Sequence, residues 1–199
     1  REQKERREKQ ERSSLAARRL EKAVDNIHEW DRFLLFEPRD LTLKRPLLLE
    51  AVSLCISARE LAEDDPALAD YYRARALALL GRHREAEAAV TLAIETAPEG
   101  RFYLERTRIR IHVMIRNMIG FGMFQALTLG QLLGKDPGML LQDQQGGEYI
   151  RQILEDLEEA ERLGYETGFE REYAGVIRVA FQGEFGKARI LCREFLDRA

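Results

Sequence analysis

The sequence predicts an all-α chain, an α-solenoid of antiparallel helix pairs with an irregular glycine-rich insertion. Three observations lead there. Apolar residues recur at helical spacing in short runs that glycine or proline closes. No stretch alternates apolar and polar residues between hairpin turns, so no sheet is expected. Finally, Gly81, His83, Ala86, Val90 and Ala93 are echoed by Gly183, Phe185, Ala188, Cys192 and Phe195, an offset of 102 residues, or three periods of 34.

The elements follow in order. Residues 1–13 form a charged lead-in, REQKERREKQER and Ser13, with six basic and four acidic residues and no core position. Such a segment is expected as a solvated linker helix or as disordered chain. Ser14 is the predicted cap of a first helix carrying Leu15, Leu20, Ala23, Val24, Ile27 and Trp30, which Glu37-Pro38 ends. The next helix is expected from about Pro46 to Ala62, with proline in its first turn. Asp64-Asp65-Pro66 reads as a cap and start for a helix to Leu80, and Gly81 breaks it. A partner helix over Arg84–Thr96 stops at Pro98-Glu99-Gly100.

Beyond that, Phe102–Met118 and Glu148–Leu163 read as helices. The stretch between them, about 119–147, contains seven of the chain's 14 glycines, which argues against regular repeat packing. An alternative division makes 101–167 two degenerate repeats. The last pair lies within 169–199, and residues 14–199 are expected to form one repeat domain.

The stretch Ala67–Gly100 is 34 residues long and holds a helix–turn–helix with small residues at Ala74, Ala86 and Ala93. Two helices approach closely only where side chains are small. Glycine at Gly81 permits a tight turn, and Pro98 follows the second helix. Residues GRHREAEAAVTLAIETAP carry most of a resemblance to the tetratricopeptide repeat family. Asp70 departs from it, standing where the family favours Trp, as does His83, where it favours Tyr. A weaker resemblance rests on RPLLLEA within a leucine-rich segment after the charged lead-in. It is similar to the region following the kinase domain of some bacterial serine/threonine kinases, which would make this chain a regulatory part of a larger protein. No HRD, DFG or phosphate-binding glycine loop accompanies it.

Composition narrows the function classes. Lys and Arg total 32 against 35 Asp and Glu, a net charge of −3, so no global field favours nucleic acid. The apolar fraction of 45% supports a buried core. Two cysteines, Cys55 and Cys192, are expected as reduced buried thiols, consistent with a cytoplasmic location. Met118–Leu133 is uncharged, but its 16 residues fall short of the roughly 20 a spanning helix needs. No membrane insertion is expected from it. Arginine outnumbers lysine 26 to 6, a bias consistent with a GC-rich bacterial source.

The chain carries no recognisable chemistry. His28, His83 and His112 occur singly, without HExxH or CxxC, so no metal site is expected. Gly120 and Gly122 lack the third glycine of a dinucleotide fingerprint and a preceding strand, so no cofactor is expected. Glu155, Asp156, Glu158, Glu159 and Glu161 read as a solvated acidic helix face rather than a catalytic pair. The expected activity is therefore non-catalytic. The tetratricopeptide resemblance implies a concave surface lined by first helices, with Tyr71, Arg75, Phe102, Glu105, Arg106, Ile109 and His112 as the partner-binding residues. Arg75 and Arg106 would lie near each other and suit a peptide with acidic and apolar side chains. Tyr71 and Arg75 stand where carboxylate-clamp members carry Lys and Asn. The expected partner is a protein or peptide, on a scaffold within a larger bacterial signalling or assembly protein. Self-association through Met118–Leu133 is the alternative.

Overall fold

A computed structural model describes residues 2–31, 41–61, 66–117, 144–182 and 184–196. Every regular element among them is a helix, and no strand occurs among the described residues. The helices are α1 (Glu2–Asp31), α2 (Leu41–Leu61), α3 (Pro66–Leu79), α4 (His83–Thr96), α5 (Gly100–Asn117), α6 (Gln144–Arg162), α7 (Gly168–Phe181) and α8 (Phe185–Leu196). The all-α class is as expected. The apolar Met118–Leu133 stretch and most of the glycine-rich insertion lie outside the described residues. No helix among those residues is long and apolar enough to cross a membrane.

The chain divides into two compact units, residues 1–102 and 103–199. In the first unit, α1 packs on α2, α2 on α3, and α3 on α4. The α1 stripe Ala16, Ala23 and Ile27 is buried, as is the α2 stripe Leu48, Ala51, Cys55 and Ala58. Polar side chains beside the stripes set the antiparallel register. Arg19 donates to Ser57. The Lys22 ammonium lies 2.6 Å from Glu50. Asn26 donates to the Leu47 carbonyl and to Glu50, each at 3.4 Å. The Lys22 hydrogen bond and charge hold the Glu50 carboxyl below its usual range.

Three boundaries differ from expectation. Helix α1 runs unbroken from Glu2, so Ser14 is an interior residue rather than a cap, and its hydroxyl accepts from Arg18 at 3.4 Å. The charged half continues the helix because spaced ion pairs support it, such as Lys4–Glu8 and Arg7–Glu11. Helix α2 starts at Leu41 and runs through Pro46, which lies inside the helix and supplies no N–H to the Thr42 carbonyl. Helix α6 begins at Gln144, so Gly146 and Gly147 belong to its first turn instead of the insertion.

Helices α3 and α4 form the expected pair. Ala74 and Leu77 on α3 are buried with Ala86, Ala89, Val90 and Ala93 on α4, and five of those six residues are alanine or valine. Small side chains on both partners let the helices approach closely. Gly81 closes α3 at φ +75°. The Arg82 N–H donates to the Leu77 carbonyl and the Gly81 N–H to Ala78, each at 2.9 Å. That is the Schellman arrangement, and it satisfies carbonyls the helix end would leave bare.

The second unit repeats the device. Gly164 closes α6 at φ +84°, with Tyr165 donating to Ala160 at 3.0 Å and Gly164 to Glu161 at 2.9 Å. Across this turn the Glu161 carboxylate accepts from the Thr167 hydroxyl and from Arg171 at 2.9 Å. The core joins Leu104, Ile111 and Met114 of α5, Ile153, Leu157 and Ala160 of α6, and Ala174 and Ile177 of α7.

Two glycines should respond oppositely to alanine. A Cβ at Gly164 meets nothing within 4 Å, but its φ of +84° strains any side chain. Gly164→Ala should therefore cost about 1 kcal/mol. Gly175 lies mid-helix with open space and no positive φ. Gly175→Ala should stabilise by about 0.5–1 kcal/mol. Urea unfolding of the two variants checks both signs.

Candidate functional site

The seven residues expected to bind a partner fall into both units: Tyr71, Arg75 and Phe102 in the first, Glu105, Arg106, Ile109 and His112 in the second. Each unit also contains a buried aspartate paired with two arginines.

In the first unit that residue is Asp70, fully buried on α3. Arg59 reaches it from α2, Nε to Oδ2 at 2.6 Å. Arg73, one turn along α3, lies 3.1 Å from Oδ1. The neighbouring residue, Tyr71, is 8% exposed. Its ring lies 5.1 Å from that of Phe102 and 5.0 Å from that of Tyr72. The Arg75 and Arg101 guanidinium carbons each lie 5.7 Å from the Tyr71 ring centre. The structure thus gathers Tyr71, Arg75 and Phe102 into one cationic and aromatic cluster. Phe102 is fully buried, while Arg75 stays half-buried at its edge. The rings are packed inside the unit, and the guanidinium groups beside them are the more exposed part of the cluster.

Cys55 is buried in the same unit. Burial pushes its thiol up from an ordinary 9.0 to about 12, with the Arg73 charge opposing and the Asp70 charge assisting. A thiol in that setting is a packing group, not a nucleophile.

In the second unit the buried carboxylate is Asp156, 3% exposed on α6. Arg106 grips it with two bonds, Nη2 to Oδ1 at 2.6 Å and Nε to Oδ2 at 3.0 Å. Arg110 adds Nη1 to Oδ2 at 2.8 Å and also donates to the Gln152 carbonyl at 3.2 Å. The Arg106 guanidinium lies 5.5 Å from the Tyr103 ring centre. Arg106 is therefore committed within the unit. Ile109 is buried, 1% exposed, and Glu105 is buried beside Arg108, which also pairs with Glu170 at 2.8 Å. His112 is half-buried, and loss of solvent pulls its pKa down from the usual 6.5.

Asp156 corrects the sequence reading of Glu155–Glu161 as one solvated face. Glu155, Glu158 and Glu161 are exposed, but Asp156 is not. The signal was present in the register. Asp156 lies three residues after Ile153 and four before Ala160, both buried. Asp70 likewise lies three after Ala67 and four before Ala74, both buried. A carboxylate at a core position of a helical stripe requires a cation there. Among the described residues, no group of three or more His, Cys, Asp or Glu side chains is arranged to hold a metal ion.

Comparison with protein-family models, with curated proteins and with solved structures finds no match.

Three outcomes follow. Arg59→Ala leaves the fully buried Asp70 carboxylate with Arg73 as its remaining partner and should cost about 3 kcal/mol. Asp70→Asn removes that buried charge and leaves Arg59, at 42% exposed, within reach of solvent, so it should cost clearly less. Chemical unfolding of both variants measures the difference. The Cys55 proton stays bound in the folded chain between pH 9 and about 12, where the unfolded chain releases it. Stability should fall as pH rises through that range, and this component should vanish in Cys55→Ala. His112, whose neutral form is favoured in the folded chain, should contribute stability that is lost as pH falls below 6.5, and its NMR titration midpoint should lie below that of a free imidazole.

Proposed function

We propose that the chain is a non-catalytic protein–protein interaction scaffold, a tetratricopeptide-like array that binds a partner peptide or helix on its concave face. Its setting in this reading is the cytoplasm of a bacterium, within a larger signalling or assembly protein. The observation that carries it is the repetition of one helix pair. Helices α3 and α7 are both 14 residues long and start 102 residues apart, and α4 and α8 also start 102 residues apart. Ala86 and Ala188, equivalent by that offset, are both buried. Packing between sequence neighbours, as in α1 to α4, is the pattern of quasi-one-dimensional repeat proteins.

The first-unit cluster supplies the binding chemistry. Tyr71 and Phe102 are buried and support the cluster from within, and the half-buried Arg75 guanidinium over the Tyr71 ring is the group this reading assigns to a partner carboxylate. Arg106 supports the array from within through Asp156, so it is a poor choice for testing contact.

A panel of synthetic peptides combining acidic and aliphatic residues tests the reading. Micromolar binding that Arg75→Glu weakens at least tenfold, with unchanged helical circular dichroism, is expected. Absence of binding across the panel, or binding indifferent to Arg75→Glu, would refute it. Arg106→Glu should instead lower the unfolding midpoint, because it sets a second carboxylate against Asp156.

A further inference from the structure

Helix α2 is covered on two sides and open on a third. Its Glu50 and Ser57 meet Lys22 and Arg19 of α1, and its Arg59 reaches Asp70 of α3. Leu48, Ala51, Cys55 and Ala58 are buried between those contacts. Arg45, Leu49, Ser53, Ile56 and Glu60 lie on the remaining face, and all five are exposed. Their spacing of four, four, three and four residues keeps them in one row along the helix. Leu49 is 43% exposed and Ile56 42%, so two large apolar side chains of one helix meet water side by side. Arg45 and Glu60 form no ion pair with any described residue.

The row is complementary to itself. Arg45 and Glu60 stand at its ends, 15 positions apart, with Leu49 and Ile56 inside them. Both pairs are centred on the same point, between Val52 and Ser53. An antiparallel copy of the row, turned about that point, sets Arg45 against Glu60 at both ends and Leu49 against Ile56 on either side of the centre. That is the geometry of an isologous contact. The centre itself is slim. Ser53 is small, and its hydroxyl donates to the Leu49 carbonyl of its own helix at 3.1 Å, so two backbones can approach there. Within one chain Arg45 and Glu60 are about 22 Å apart along the helix, too far to pair with each other.

We propose that the Arg45–Glu60 face of α2 is a homodimer contact, occupied by the same face of a second copy of this chain in antiparallel orientation. Charge complementarity selects that occupant and that orientation, since a parallel copy would set arginine against arginine and glutamate against glutamate. Leu49 and Ile56 supply the apolar centre of the contact, and the two charge pairs form its rim. One helix face is small beside the roughly 800 Å² per partner of a stable complex, so the dimer is a weak one. The contact uses a different helix from the Arg75 cluster and goes beyond the peptide-binding reading.

Analytical ultracentrifugation of the full chain tests the contact. A monomer–dimer equilibrium with a micromolar dissociation constant is expected. Ile56→Glu should leave only monomer, with unchanged helical circular dichroism because the side chain is exposed. Arg45→Glu and Glu60→Arg should each weaken the dimer about tenfold, since every substitution acts twice in a symmetric pair. The double variant Arg45→Glu, Glu60→Arg should recover the original affinity to within about threefold, because the reversed charges again meet their opposites across the contact. A chain that stays monomeric throughout the micromolar range would overturn the proposal, whether or not some other protein binds this face. Dimerisation indifferent to Ile56→Glu would overturn it too, by placing the contact elsewhere. So would a double variant no better than the single ones, because the antiparallel pairing would then be wrong. A monomer that binds acidic peptides through Arg75 would reject this proposal alone, and a dimer that binds no peptide would reject the peptide-binding reading alone.

Discussion

A buried aspartate clamped by two arginines recurs in each half of this chain, and the packing around it follows from that constraint. Asp70 draws Arg59 of α2 onto α3. Asp156 draws Arg106 and Arg110 of α5 onto α6. An isolated carboxylate in such a place is prohibitive, so the helices must approach in the register that brings the guanidinium groups to it. A clamp of this kind adds little net stability compared with a well-packed apolar substitute. Its effect lies in selection. A slip of one turn separates the partners and strands a charge, whereas alanines and valines alone would tolerate several registers.

The clamps complement the small-residue packing of α3 and α4. Alanine allows close approach but gives little shape to lock it, because it lacks a long side chain that interdigitates. The ionic groups provide directional contacts, and the Schellman turns at Gly81 and Gly164 fix how the chain leaves α3 and α6. Together these features yield closely packed helices carrying part-buried residues at fixed spacing. The scaffold we propose, which binds without chemistry, needs little more. Preorganised presentation limits the ordering cost of association in general, so a few well-placed side chains can carry most of a binding energy.

Much of the fold was legible because helix periodicity and glycine turns are local signals. The α3–α4 pair is the clearest case: Gly81 and the alanine spacing place it to within a residue or two. Local signals also misled. Ser14 looks like a cap because an apolar run follows it, yet α1 passes straight through, supported by ion pairs that have no hydrophobic signature. Pro46 looks like a helix start, yet α2 begins five residues earlier. The candidate site was less legible. Tyr71, Arg75 and Phe102 do come together, whereas Arg106 is absorbed by Asp156, 50 positions away in the sequence. Composition hid Asp156 among neighbouring glutamates. Only its register with Ile153 and Ala160 distinguishes it.

The register of both units therefore depends on whether these clamps act as energetic units. A double-mutant cycle between Arg106→Met and Asp156→Leu, measured by urea unfolding, addresses this directly. A coupling energy of about 2–3 kcal/mol is expected, near the upper end for residues in one buried network. Additivity of the two substitutions to within about 0.5 kcal/mol would contradict it, and the packing of α5 on α6 would then rest on apolar contacts alone.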